Sequence, residues 1–313
     1  MQVFRGIHEI EKAYPASVVT IGNFDGVHLG HQQLIETVVR EAHHFGVPGV
    51  VYTFHPHPVK VLHPERPTHR LFDFKDQQEQ FEKKGIDLVI LENFTEEFSK
   101  VSPQTFLDHY IYSKLHPKTL VVGHDFSFGM GREGNIPFLE NYCAQKEIRL
   151  IIIPPFKKDN MVVSSSLIRE NLRSGDIETA NELLGRTYYL RGLVEKGFQR
   201  GRTIGVPTAN VHPDVEFVPR HGVYCTTVVY NGKCYPSVAN IGINPTFANR
   251  DVQIKTEVHI FDFDADIYGQ EIEIYLHHFI RDEKKFGDID ELKAQIQDDM
   301  KFARKYFDER KKA

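Results

Sequence analysis

Gly22-Asn23-Phe24-Asp25-Gly26-Val27-His28-Leu29-Gly30-His31 is the stretch on which the reading of this chain turns. Before it runs Val18-Val19-Thr20-Ile21, short and apolar enough for a buried strand. After it come Leu34, Ile35, Val38, Val39 and Ala42 at helical spacing. A strand that passes through a glycine-rich turn into a helix makes an anion site, because backbone N–H groups and the positive end of the helix dipole face one point. Gly22, Asn23 and Phe24 supply that backbone. His28 and His31 flank Gly30 there, and imidazole donors aimed at phosphate oxygens would stabilise charge that builds up in phosphoryl or nucleotidyl transfer. Gly30, without a Cβ, would let a flat base or a ribose lie against the chain.

Outward from this unit the text alternates. Residues 49–54, 87–91, 119–123 and 149–153 are strand-like, and helical patterns lie near 74–84, 95–115 and 136–145. Near-continuous apolar strands separated by helices predict a parallel sheet covered on both faces. Ligands bind such sheets beyond the C-terminal strand ends, so the loops after Ile21, Phe54, Val122 and Ile153 share a rim. The pattern changes at Gly185, which divides the chain into domains 1–185 and 186–313. Beyond it the period is two, with strands at 223–230, 235–241, 253–262 and 271–279 and a hairpin signal at Asn231-Gly232. This predicts a small antiparallel barrel. Ile289, Leu292, Ile296, Met300, Ala303 and Phe307 then predict an amphipathic terminal helix.

Composition narrows the class. A chain of 313 residues accommodates two domains, and 41% hydrophobic with 26% charged residues is ordinary for a soluble globular protein. A net charge of −5 gives no global basic footprint for nucleic acid. The three cysteines form no C-x-x-C pair, and an odd number argues against a disulfide framework. No apolar leader core and no membrane-length apolar run is present. The expectation is a cytoplasmic protein with no membrane and no nucleic-acid partner.

Other rim loops carry polar and aromatic residues. Ser164-Ser165-Ser166-Leu167-Ile168-Arg169 reads either as a serine N-cap or as a second phosphate-binding helix start with Arg169 on a triphosphate. Asp125, Phe126 and Phe128 read either as turn and core residues or as a platform for an aromatic ligand. His55-Pro56-His57-Pro58 lacks partners at zinc spacing and is better read, with Phe54, as a border of the nucleotide site. In the second domain the segment 197–203 is not a P-loop, since its spacing is short and Arg202 replaces Lys, but Gly201 and Arg202 remain a plausible phosphate loop of another kind. Thr208 and Asn210, two apart on extended chain, offer oxygen ligands acceptable to Mg²⁺, or are ordinary polar turn residues. Glu257, on the strand face opposite Ile254, Val258 and Ile260, is a solvated glutamate or a general base.

Together these motifs resemble the bacterial bifunctional riboflavin kinase/FMN adenylyltransferase (FAD synthetase) family over nearly the whole chain. Residues 22–31 resemble the adenylyltransferase signature, 163–169 its Ser-Ser-x-x-Ile-Arg motif, 201–210 the kinase signature, and 240–247, 257–268 and 281–286 further kinase segments. Val206 stands where the family usually has Phe, and His55 where an acidic residue is common. The resemblance implies an α/β chain: an N-terminal Rossmann-like nucleotidylyltransferase domain and a C-terminal riboflavin kinase-like β-barrel with a terminal helix. It implies riboflavin, FMN, FAD and ATP as ligands, with Mg²⁺ accompanying ATP. Its implied adenylyltransferase site comprises His28, His31 and Arg169 with Gly22, Asn23, Phe24, Gly30, Ser164 and Ser165, and Asp125, Phe54 and Phe128 on FMN. Its implied kinase site comprises Glu257 as base, Gly201, Arg202, Thr208 and Asn210 on ATP and metal, and Arg281 and Tyr224 on the flavin. An FMN adenylyltransferase with an inactive or flavin-sensing barrel is the alternative. An aminoacyl-tRNA synthetase would need a Lys-Met-Ser-Lys-Ser-like loop, which is absent. Oligomeric state is left open.

Overall fold

The computed structural model describes residues 1–65, 69–196, 205–213, 216–245 and 252–310. The chain divides into two compact units, Met1–Ser164 and Ser165–Ala313.

The first unit is built on a six-stranded sheet: β1 (Gln2–Phe4), β2 (Ser17–Ile21), β3 (Gly49–His55), β4 (Leu88–Asn93), β5 (Pro117–Gly123) and β6 (Arg149–Ile153), in the order β1-β4-β3-β2-β5-β6. Every neighbouring pair is parallel. The apolar runs seen in the sequence supply both faces at once. Val19, Val50, Tyr52, Ile90, Leu120 and Val122 enter one core layer, while Val18, Val51, Val89 and Val121 enter the other. From β2 the chain winds outward through β3 and β4, then crosses back to place β5 on the other side of β2. The connections leaving β2 and β5 therefore run apart, and the switch point of the sheet lies between them. The Gly22–His31 segment leaves β2 there. A two-strand hairpin, β7 (Lys157–Lys158) and β8 (Met161–Val162), lies near the end of the unit.

The second unit contains a closed barrel of β9 (Tyr189–Glu195), β10 (Ala209–Pro213), β11 (Gly222–Tyr230), β12 (Lys233–Pro245), β13 (Val252–Ile260) and β14 (Glu271–Arg281), in the order β10-β13-β12-β11-β14-β9. All its pairings are antiparallel. The hairpin at Asn231-Gly232 forms as expected, with φ of 48° and 71° at its two central residues. The sequence reading found four of these strands. It also read extended chain through Thr208 and Asn210, where β10 begins, and missed β9.

Helices Ser165–Ser174 and Ile177–Leu184 belong to this second unit, whereas the sequence reading drew its boundary at Gly185. Their contacts explain the difference. Asn181 Nδ2 donates to Leu276 O at 2.9 Å, and the Arg220 N–H donates to Leu172 O at 2.9 Å. The terminal helix Ile289–Arg310 packs on the barrel through Met300, Ala303, Tyr306 and Phe307, against Val223, Cys225 and Val238. Among the described residues no helix is long and apolar enough to cross a membrane.

Beneath this terminal helix, burial pushes the His277 imidazole down from 6.5 to about 4. Arg310 adds to the shift and Glu178 opposes it. Thr227 Oγ1 lies 2.9 Å from its Nε2, and the Phe307 ring stands edge-on at 5.5 Å. The folded state keeps His277 neutral down to about pH 4, while the unfolded chain takes up a proton near 6.5. Stability from this residue is therefore complete above pH 6.5 and lost as pH falls towards 4. Urea midpoints of the full chain measured across that window should decline on acidification, and His277→Phe should flatten the decline.

Candidate active sites

The turn after β2 is shaped by left-handed backbone. Phe24 has φ 50° and ψ 29°, Gly26 φ 80° and Val27 φ 41°. Glycine takes such angles freely, but each of the other two costs on the order of 1–3 kcal/mol. Phe24 and Val27 are each 1% exposed, so burial of their side chains holds them in place. Hydrogen bonds hold the backbone. The Gly22 N–H donates to Tyr52 O at 3.0 Å, and Gln32 Nε2 donates to Val27 O at 3.0 Å. Gln77 Nε2 donates to Asn23 O at 3.1 Å and Phe24 O at 2.8 Å.

His28 caps the helix Leu29–Phe45, its Nδ1 accepting from the His31 N–H at 3.4 Å. An accepting Nδ1 carries no proton, so the ring is left to donate through Nε2. The His28 and His31 rings stack at 3.7 Å with 17° between planes, and Phe24 meets His31 edge-on at 5.4 Å. Gly30 serves this arrangement directly. A Cβ there would stand 3.3 Å from His28 Cε1 and Nδ1, so the glycine makes room for an imidazole, where the sequence reading had expected room for a base or ribose. The only carboxylate in the turn, Asp25, is 3% exposed and accepts from the Leu71 N–H at 3.0 Å.

Along the rim, Phe54 and Phe128 join one aromatic layer. Phe54 packs on Phe98 at 6.0 Å, Phe98 on Phe106 at 6.0 Å, and Phe106 on Phe128 at 5.5 Å. Phe126 stacks on Phe128 at 5.3 Å and is the more open of the two. Asp125 is exposed beside His124. Sequence reasoning missed Glu92, which is 6% exposed and accepts from the Tyr52 hydroxyl at 2.5 Å and the Ile7 N–H at 3.0 Å. Burial first, then the Glu92 charge, holds the Tyr52 phenol well above its usual range. Ser164 ends the first unit. Ser165 and Arg169 lie half-buried at the start of helix Ser165–Ser174 in the second.

In the barrel, strand register gathers a polar row. Asn210 on β10 and Asn240 on β12 both sit directly opposite Glu257 on β13, so the three side chains share a face. Asn210 is 8% exposed. The Glu257 carboxylate, 40% exposed, is paired with Lys255 Nζ. His259 Nδ1 lies 2.7 Å from Pro207 O, which ties down the segment carrying Thr208. Thr208 lines a cleft of about 510 Å³ whose walls include Val258, Ile260, Phe263 and Tyr268. Thr208 and Asn210 supply a neutral oxygen pair of the kind Mg²⁺ accepts when phosphates complete its shell. Gly201 and Arg202 lie outside the described residues.

Arg281 and Tyr224 are engaged internally. Arg281 donates through Nε to Asp299 Oδ1 at 2.9 Å, through Nη2 to Asp299 Oδ2 at 2.6 Å and through Nη1 to Asp282 O at 2.9 Å. This pins the end of β14 to the terminal helix. Tyr224 is fully buried, its hydroxyl donating to Arg220 O and its ring edge-on to Phe279 at 5.2 Å.

A parallel sheet with an anion-type turn at its switch point, joined in one chain to a closed barrel with its own polar row and cleft, defines a two-module nucleotide-handling enzyme. The chain belongs to the bifunctional riboflavin kinase/FMN adenylyltransferase family: residues 10–167 match the FAD synthetase family and residues 184–307 the riboflavin kinase family. Relatives named bifunctional riboflavin kinase/FMN adenylyltransferase include that of Bacillus subtilis strain 168, 39% identical over 96% of this chain and 95% of its own. That of Escherichia coli K12 is 36% identical over 98% of both chains. A crystal structure described as a macrolide-efflux protein from Streptococcus pneumoniae superposes with a TM-score of 0.87 at 32% identity, covering 96% of this chain and 98% of that one.

The stacked histidines yield a direct test of the turn. In Gly30→Ala the added Cβ, 3.3 Å from the His28 ring, should push that imidazole by a few tenths of an ångström and change its stacking on His31. Proton NMR should then show a change in the mutual ring-current shifts of the two histidines, with the fold intact by circular dichroism.

Proposed function

We propose that this enzyme makes FMN and FAD in sequence, residues 186–313 phosphorylating riboflavin and residues 1–185 adenylylating the product. Helices Ser165–Ser174 and Ile177–Leu184 lie in the barrel's unit, and the second of them is tied to β14 through Asn181.

In the kinase step a riboflavin hydroxyl attacks the γ-phosphorus of ATP, the hydroxyl proton passes to Glu257, and ADP leaves. An alcohol is a poor nucleophile near neutral pH, so a positioned carboxylate is needed. Lys255 holds it, and Asn210 and Asn240 flank it across the neighbouring strands. The cleft beside Thr208 suits ATP, with Phe263 and Tyr268 offering ring surface to the base. Mg²⁺ bound at Thr208 and Asn210 would neutralise charge on the phosphates. Arg281 and Tyr224 act on the flavin by shaping the end of β14 and the barrel wall.

In the adenylyl step an FMN phosphate oxygen attacks the α-phosphorus of ATP and pyrophosphate leaves. A phosphate monoester has its second pKa near about 6, so this nucleophile arrives ionised and needs no base. The observation that carries the reading is that the turn offers what such a reaction requires. It presents stacked imidazoles and backbone N–H groups, and its one carboxylate is buried on a backbone donor. His28, His31, Ser164, Ser165 and Arg169 bind and stabilise the phosphates. Phe54 and Phe128 back the flavin, Phe126 offers the more open ring, and Asp125 contacts FMN or metal. An inactive barrel is not favoured, since residues 184–307 match the riboflavin kinase family and Thr208, Asn210 and Glu257 are all present. The substrates are small and polar, and we place the enzyme in the cytoplasm.

Reciprocal variants test the assignment by chromatographic assay of FMN and FAD. His31→Ala should lower FAD formation by about 10²–10³-fold and leave FMN formation near normal. Glu257→Ala should lower riboflavin phosphorylation by about 10²–10⁴-fold and spare FAD formation from supplied FMN. Loss of both activities in either folded variant would sink the two-site reading.

A further inference from the structure

The shape of the turn after β2 has a cause outside its own segment. Gln77, on the helix Phe74–Lys83, is 1% exposed and donates from one amide nitrogen to two consecutive carbonyls, Asn23 O and Phe24 O. The helix start that carries it is fixed by Asp73, whose Oδ1 accepts from the Asp76 N–H at 2.7 Å. The amide cannot flip without losing a partner. Arg70, 5% exposed, donates through Nη2 to Gln77 Oε1, which keeps the NH₂ group towards the turn. Arg70 Nη1 in turn lies 3.3 Å from His55 Nδ1, at the end of β3. Next to Arg70, the Leu71 N–H holds the Asp25 carboxylate.

These contacts all grip oxygen atoms at the back of the turn. A trans peptide is planar, with its N–H opposed to its C=O. Holding the Asn23 carbonyl against Gln77 therefore turns the Phe24 N–H to the opposite side. Holding the Phe24 carbonyl as well fixes the left-handed angles that the buried Phe24 adopts. The front of the turn is where phosphate oxygens meet backbone donors at a helix start.

We infer that Gln77, oriented by Arg70, is a positioning residue for nucleotidyl transfer, bracing the turn after β2 so that the Phe24 N–H faces the triphosphate of ATP. The inference rests on the assignment of adenylyl transfer to this turn. Gln77 itself stays behind the turn and touches no substrate. No local pattern announces it, because the glutamine lies 54 and 53 positions from the carbonyls it holds.

Gln77→Met keeps side-chain length and removes both the donors and the acceptor. In the full-length chain its kcat for FAD formation from FMN and ATP should fall by about 10–100-fold, while KM for each substrate moves less than about threefold. Riboflavin phosphorylation by the same preparation should stay near wild type and reports the amount of competent protein. Arg70→Met should cause a smaller loss. The double variant should match Gln77→Met alone, since the arginine acts through the glutamine. If Gln77→Met reduces the folded fraction, Gln77→Glu carries the same expectation, because a carboxylate keeps the Arg70 contact but cannot donate to carbonyls. A Gln77→Met kcat near wild type, a loss confined to KM, or losses that multiply in the double variant overturns the inference. A wild-type chain that makes FMN but no FAD overturns instead the reading of the turn, and the brace with it.

Discussion

Between β2 and β5 the connections of the parallel sheet run apart, and the first unit depends on that divergence. There the Gly22–His31 segment leaves β2 and runs into the N-terminus of the helix Leu29–Phe45. The turn is held by its own buried Phe24 and Val27 against the sheet and by Gln77 and Arg70 from the loop and helix beyond β3. The site is thus held from behind by packing and by hydrogen bonds from Gln77 to the turn's carbonyls.

The two modules solve different chemical problems, and their residues divide accordingly. A hydroxyl must lose its proton as it attacks, and the barrel places Glu257 on a strand between Asn210 and Asn240, held by Lys255. A phosphate monoester has no such need. Asp25, the one acid in the sheet domain's turn, is buried on the Leu71 N–H, and the turn's two histidines stack on each other. On the proposed assignment, substrate charge accounts for which side chains each module carries.

Much of this was legible in order along the chain. Parallel strands buried on both faces write themselves as apolar runs such as 119–123 and 149–153. A two-residue turn needing left-handed angles writes itself as Asn231-Gly232. The histidine pair and the row partners of Glu257 stood in recognisable motifs. Strand β9 did not, because Arg191-Gly192-Leu193 breaks the alternation of polar and apolar residue types even though burial alternates along it. Nor did the affiliation of helices Ser165–Leu184, which depends on Asn181 reaching the β14 backbone across 95 positions.

What the sequence by itself determined is local and periodic: which segments are strands or helices, where a phosphate-type turn falls, and which residue types are available for each chemistry. These follow from interactions within a few residues and from alternation of polarity. What only the tertiary structure decided is which distant groups meet. Gly30 proved to make room for an imidazole, Arg281 to be joined to Asp299, Tyr224 to be sealed in the barrel, and Gln77 to hold the turn. Those outcomes depend on packing between segments far apart in the chain. Such packing is cooperative and leaves no periodic trace, so a buried glutamine and an exposed one look the same until the chain is folded.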